Sequence, residues 1–313
     1  MTTGLLTRRK VVLMKIEGTY GVDPVPVVAT DAIRVFDFDW KFANQKMVEQ
    51  KDASKNTLGP NKQIHADKLV QVTFKMPIKG SGTIDVAPEL GVPLRCCRWA
   101  ETVNVATSVV YAPSSTTSAS GGMYFQEDGK QYVFLGMRGT FKFMGNSNDA
   151  GWIEFTIDGH FGAHTDTALG SPTLDTTEPP VIKSAGFTLD AYAAAINALE
   201  FDAGNVIVLP LDANAADGYG EIQIVDFDIV GSINPLDVLI GTNDFIDDWE
   251  TSKVMALTTG VIGSVAGNRW QLAMDYVSTR DITPERSDEL RRFQLAFGAH
   301  ESAGDDQASL TFT

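Results

Sequence analysis

The 313-residue sequence predicts a mainly-β protein, built as two tandem antiparallel β-sandwich or open-barrel domains, each with a short flanking helix. Three observations predict it. The first is period-two alternation across residues 129–162. Val133, Leu135, Met137, Phe141 and Phe143 alternate with Tyr132, Phe134, Arg138, Thr140 and Lys142, and then Ile153, Phe155, Ile157 and Phe161 alternate with Glu154, Thr156, Asp158 and His160. Such alternation marks strands with one face in a core and one face polar. The second is the return of the pattern near the C-terminus. At 269–278, Trp270, Leu272, Met274 and Tyr276 alternate with Gln271 and Asp275; at 290–298, Phe293, Leu295 and Phe297 alternate with Arg292 and Gln294. The third is a Phe-Gly-Ala-His tetrapeptide that closes both pairs, at 161–164 and 297–300. A shared ending after the same kind of strand pair points to an internal duplication.

The other elements follow in chain order. Residues 10–17 read as a short apolar strand, and 18–26 as a turn-rich connection through Gly18, Gly21, Pro24 and Pro26. Residues 33–42 alternate, with a slip of phase at Val35-Phe36 that marks a bulge. The polar stretch 43–68 offers almost nothing to a core. Loops of that length without structure of their own are functional or disordered, and this one is expected to project and order against a neighbouring subunit. Residues 69–78 are a strand closed by Lys79-Gly80-Ser81-Gly82. Residues 88–100 read as a helix, with Leu90, Leu94 and Cys97 on one face and Pro93 as a break or late start. A strand at 105–111, a Ser/Thr loop at 114–120 and a strand at 123–126 lead through Asp128-Gly129 into the long pair.

Residues 163–186, rich in Thr, Pro, Ala, Ser and Gly, mark the boundary between the halves. The expected organisation is a first β domain at 1–165, a linker at 166–184 and a second β domain at 185–313. In the second half, strands are expected at 198–201, 205–211, 221–230, 254–257 and 310–312. Residues 235–252 are expected to form a helix with Leu239, Ile246 and Trp249 facing in and Asp244, Asp247, Asp248 and Glu250 on its wet face.

Composition narrows the function. Apolar content is 43%, ordinary for a globular protein, and no run approaches the ~18 apolar residues of a membrane helix. The basic residues of the N-terminus follow a very short apolar patch, the wrong order for a secretory signal, so the chain is expected to stay in the cytoplasm where it is made. The net charge of −15 is uneven: residues 1–165 carry 18 Lys/Arg and 16 Asp/Glu, whereas 166–313 carry 7 and 24. That asymmetry argues against a grip on nucleic acid, which needs a basic stripe. It suits a solvated acidic face, a surface that repels DNA, or halves that meet between subunits.

No catalytic signature stands out. The sequence has no Gly-x-Ser-x-Gly elbow, no phosphate-binding glycine loop and no His-Glu-x-x-His. Cys96 and Cys97 are adjacent and read as small packed residues, and the four histidines lack metal-ligand spacing. Neither a metal nor a cofactor is expected, nor catalytic residues.

Several stretches together resemble the major tail tube protein of long-tailed, siphovirus-type bacteriophages. They are residues 10–21 (KVVLMKIEGTYG), Lys79-Gly80-Ser81-Gly82 followed by Pro88-Glu89-Leu90-Gly91, the Tyr111-Ala112-Pro113-Ser114 turn, and the Asp128-Gly129 hairpin. The similarity covers most of 10–162; the second half matches mainly in its order of elements. The resemblance implies a non-enzymatic virion protein, assembled in the host cytoplasm, whose copies close into rings that stack into a hollow tube. Phage DNA passes through without specific binding, no membrane is involved, and tape-measure and tail-terminator or distal tail proteins are the other partners.

Two tube-like halves per chain imply rings of three chains with pseudo-six-fold symmetry. The arm would reach the next ring through Lys46, Glu49, Lys51, Lys55, Asn56 and Lys62. The polar inner-sheet face would comprise Arg138, Thr140, Lys142, Glu154, Thr156, Asp158, Gln271, Asp275, Arg292 and Gln294. The alternatives are a head decoration or connector protein, or a carbohydrate-binding or hydrolytic β-sandwich.

Overall fold

Alternating sequence becomes strand nearly everywhere it occurs. The computed structural model of the chain describes residues 4–43, 47–48, 56–65, 68–287 and 289–313. The first half supplies β1 (Lys10–Ile16), β2 (Phe36–Phe42), β3 (Met47–Val48), β4 (Ile64–His65), β5 (Leu69–Pro77), α1 (Gly91–Cys96), β6 (Trp99–Asn104), β7 (Ser108–Pro113), β8 (Gly121–Glu127), β9 (Lys130–Asn146) and β10 (Trp152–Asp166). The second supplies β11 (Thr188–Leu189), β12 (Ala198–Asp202), β13 (Asn205–Val208), β14 (Gln223–Phe227), β15 (Val230–Ile233), α2 (Phe245–Glu250), β16 (Met255–Thr258), β17 (Trp270–Ser287), β18 (Leu290–Ala299) and β19 (Ser309–Phe312). The protein is mainly β and its strand pairs are antiparallel.

One sheet carries most of the strands, in the order β2-β5-β10-β9-β12-β15-β18-β17-β19-β7-β6. It is organised by two long strands. β9 pairs with β10 along one side, and on the other with β8 and then β12. β17 pairs with β19 and then β18 on one side, and with β16 on the other. Among the described residues, pairing between strands therefore crosses from one half of the chain to the other twice, where β12 joins β9 and where β19 joins β7.

The core follows the sheet across that boundary. Phe143 stacks on Phe201 with ring centroids 5.0 Å apart and meets Trp270 edge-on at 5.8 Å, while Trp99 meets Phe141 at 5.0 Å. All five rings are buried. Each contributes about 1.5–3 kcal/mol through apolar burial, so the aromatic seam is a principal bond between the halves.

Four expectations are corrected. The alternation in β9 reverses at Gly136, where a bulge with φ +59° inserts one extra residue against β8 and β10. Phe134 is thereby core, and Leu135 only half-buried. Only glycine adopts that left-handed conformation without steric cost. The first helix is limited to α1, because Trp99 already begins β6; Pro93 sits in the first turn, where a missing N–H costs nothing. Of 235–252 only α2 is helical. Leu239 is 83% exposed, and Ile246 and Trp249 are exposed too, whereas Phe245 and Asp248 are buried. The strand expected at 105–111 begins later, with β7, after a turn that leaves Val105 in solvent.

Candidate assembly surface

Register, not sequence distance, gathers the polar residues of the long pair. Lys142 faces Glu154 across β9–β10, Glu154 faces Lys75 across β10–β5, and Asp202 of β12 faces Lys142 from the other side. These groups form a transverse ladder of alternating charge: Lys142 lies 3.4 Å from Asp202, and Lys75 lies 3.7 Å from Glu154 and 3.3 Å from Asp37. The next row is Thr140, Thr156 and Thr73, continuing to Asp39, and the third is Arg138, Asp158 and Gln71, continuing to Lys41. Opposite-charge neighbours across strands contribute roughly 0.2–1 kcal/mol each. They leave the face wet and mixed in sign.

Two members of the face are not simply wet. Arg138 is buried where β8 and β12, both paired with β9, diverge. Its guanidinium donates to Ala119 O (3.3 Å), Ser118 O (3.1 Å) and Ile222 O (2.5 Å), and pairs with Glu221 at 2.8 Å. Asp158 is held above the ordinary carboxylate range by burial, against the hydrogen bond from Gln71 (3.0 Å) and the charge of Lys41.

The face continues into the second half. Glu200 pairs with Ser232, and Ser232 with Ala296, which puts Gln294 and Arg292 further along the same face of β18. Gln294 is exposed, while Arg292 is buried and donates to Asn234 O (2.8 Å) and Asn197 Oδ1 (3.0 Å). Gln271 and Asp275 lie on β17 before its pairing with β18. Gln271 donates to Thr258 Oγ1 at 3.0 Å and Asp275 is exposed. The run β2-β5-β10-β9-β12-β15-β18-β17 is thus a stretch of eight neighbouring strands within the larger sheet, with one polar face.

One border of that run is open at β2, and the other along part of β17. Among the described residues β2 pairs only with β5, and β17 from Thr279 to Arg286 pairs only with β18. β2 carries a bulge at Asp37 (φ +51°) and the charged side chains Asp37, Asp39 and Lys41, features that discourage pairing with arbitrary strands.

Of the arm, Lys46, Glu49, Lys51 and Lys55 lie outside the described residues. Asn56 and Lys62 are exposed, and β3 pairs with β4, so part of 43–68 is a two-stranded ribbon. At the far side of the molecule, 237–250 forms a platform. Val238, Leu239, Ile240, Phe245, Ile246 and Phe293 line a hollow of roughly 700 Å³.

Sequence reasoning missed one polar cluster. Tyr20 Oη lies 2.9 Å from His160 Nε2, whose Nδ1 lies 2.5 Å from Asp217 Oδ2. Tyr20 Oη also accepts from Ile222 N at 2.8 Å, and the Arg138 guanidinium lies over the Tyr20 ring at 5.0 Å. Beside them Glu17 accepts from Gly136 N (2.7 Å), Gly21 N (2.8 Å) and Ser120 Oγ (2.6 Å). The group looks like a relay but is built as a clamp. Burial pushes the Tyr20 hydroxyl up to about 12, the opposite of an activated nucleophile. Its partners come from five separate segments, and no local motif announces it.

Among the described residues no three His, Cys, Asp or Glu side chains are grouped to hold a metal, and no helix is long and apolar enough to cross a membrane. No protein-family model matches the chain, and no curated protein matches it.

Proposed function

We propose that the protein is a structural virion component that polymerises into stacked rings, forming the hollow tail tube through which phage DNA is delivered. The observation that carries this reading is the run of eight neighbouring strands with one polar face, open at β2 and along part of β17. An open border is a template for another chain, and a repeated head-to-tail contact between borders closes a ring.

Three chains per ring, with the two halves alternating, fit the two four-strand groups β2-β5-β10-β9 and β12-β15-β18-β17. Such a ring would hold roughly 24 strands; at ~4.8 Å spacing and ~40° tilt its barrel is about 50 Å across at the backbone. That bore exceeds the porin class, which already leaves an aqueous channel. The polar face would line it. Alternating charge with an excess of carboxylates gives DNA no basic stripe to hold, so it slides. Assembly takes place in the host cytoplasm, and tape-measure and tail-terminator or distal tail proteins complete the partner set.

Negative-stain microscopy of the purified protein tests the reading. Hollow tubes are expected, with particle averaging giving three chains per ring. Six chains per ring would refute the stoichiometry, and bare monomers or closed shells at all concentrations would refute the function.

A further inference from the structure

Two exposed apolar clusters of opposite charge lie at opposite ends of the strands. The arm leaves the sheet where Phe42 pairs with Val70 and Leu69 with His160. Met47, Val48, Leu58 and Ile64 stand exposed on it. The register then runs the other way. Ala198 pairs with Asn146 at the far end of β9, Leu199 with Ile233, and Ile233 with Leu295. Beyond them Leu236 bridges to Arg292, and Asp237 N donates to Arg291 O at 3.0 Å. The 237–250 platform therefore sits at the end opposite the arm, with Leu239 and Ile240 at 83% and 76% exposure, Ile246 beside them and Trp249 exposed on α2.

The charges match. Residues 43–68 contain five lysines and three acidic residues, while 235–252 contain Asp237, Asp244, Asp247, Asp248 and Glu250 and no Lys or Arg. Asp237 and Asp244 line the hollow, where Arg291 neutralises Asp237 at 2.7 Å, and Lys253 neutralises Asp248; Asp244, Asp247 and Glu250 remain as acidic excess, with Asp247 and Glu250 exposed on α2 as Lys62 is on the arm.

We infer that the platform is the receptor for the arm of a second copy of this chain, with Leu58 and Ile64 seated against Leu239, Ile240 and Ile246 under acidic cover. This rests on the self-assembly reading and names the surface that receives the arm. A contact between two different patches at opposite ends repeats without closing, so it builds a stack. A lasting interface needs roughly 1,000 Å² of buried surface, and rings presenting several arms at once add strength through effective concentration. A second copy is the occupant the chain itself supplies: apolar for apolar, basic for acidic, one end for the other.

The test uses the full chain. Leu58→Cys and Leu239→Cys are prepared as separate populations; Cys96 and Cys97 are buried and remain silent. Oxidation of the mixture is expected to give covalent dimers that neither population gives alone. Leu239→Ser combined with Ile240→Ser is expected to raise the concentration needed for polymerisation at least tenfold, with the melting temperature unchanged because both side chains are in solvent.

If wild-type tubes form and the double serine variant polymerises equally well, or the mixed thiols do not join in those tubes, the arm–platform contact is wrong while self-assembly stands. If the wild type stays monomeric at every concentration, both fail. A foreign basic protein bound at the platform, with polymerisation indifferent to the serines, also overturns the proposal.

Discussion

Lys79 Nζ lies 2.7 Å from Asp175 Oδ2, although only 4% of the Lys79 side chain reaches solvent. The same ammonium donates to Asp175 O at 3.3 Å and lies 3.8 Å from Glu89. It ties the stretch between the halves to the end of β5. Burial alone would raise the Asp175 carboxyl, but hydrogen bonds from Lys79 and Thr177 outweigh it and hold the group below its ordinary value.

Lys79→Met leaves Asp175 and Glu89 without their cation and is expected to cost about 1–3 kcal/mol, less than a fully buried pair because Asp175 is partly wet. Thermal unfolding reads it. The Asp175 contribution is present above the ordinary carboxylate pKa and disappears as pH falls through the lowered folded value. Asp175→Asn should therefore lose stability at neutral pH and flatten the acid limb below about pH 4. An unchanged acid limb would count against the pair.

Gly136→Ala places a Cβ 2.7 Å from the Tyr20 ring at a backbone φ of +59°. The expected loss is about 1–3 kcal/mol in urea titration. Gly129→Ala has φ +103° and nothing within 4 Å, so only the backbone term remains, about 1 kcal/mol. Equal losses would show that the close packing of Gly136 against Tyr20 is unimportant.

Both thiols are sealed in the core. Burial pushes Cys96 up to about 12, and Cys97 well above its ordinary value. Neither should react with an aromatic disulfide reagent until the protein unfolds, and then both should. The folded state keeps these protons longer than the unfolded one, so stability is expected to fall as pH rises above about 8.5, where unfolded thiols ionise.

The polar face should become private on assembly. Lys142→Cys, at a side chain 63% exposed, is expected to react with a bulky maleimide in free subunits and at least tenfold more slowly in tubes, while a small maleimide reaches both. Equal bulky labelling in the two states would place this face outside.

Removing residues 46–64 should leave a folded subunit with near-native melting that no longer polymerises. Normal tubes from that variant would end the arm's role.

The strand pair β9–β10 was legible because alternation is a local property that Phe141, Phe155 and their neighbours write directly into the sequence. What bends it was not: Gly136 looks like any glycine until two partner strands show the extra residue. The stretch 279–287 carries no apolar alternation, yet β17 runs through it, held by pairing with β18. The faces of α2 depart from the pattern of its charges because Asp248 is buried with its carboxylate 3.1 Å from Lys253. The members of the polar face were nameable one strand at a time; their rows appear only when register joins Asp202, Lys142, Glu154 and Lys75. Tyr20, His160 and Asp217 stand 140 and 57 positions apart, beyond any spacing rule.

The pairing of Leu310 with Tyr111 and of Phe312 with Val109 has a consequence for biosynthesis. β7 emerges from the ribosome early, yet its neighbour is translated only after nearly the whole second half. Until then the nascent chain must keep that seam vacant, and a stalled or prematurely terminated product would expose it to any passing strand.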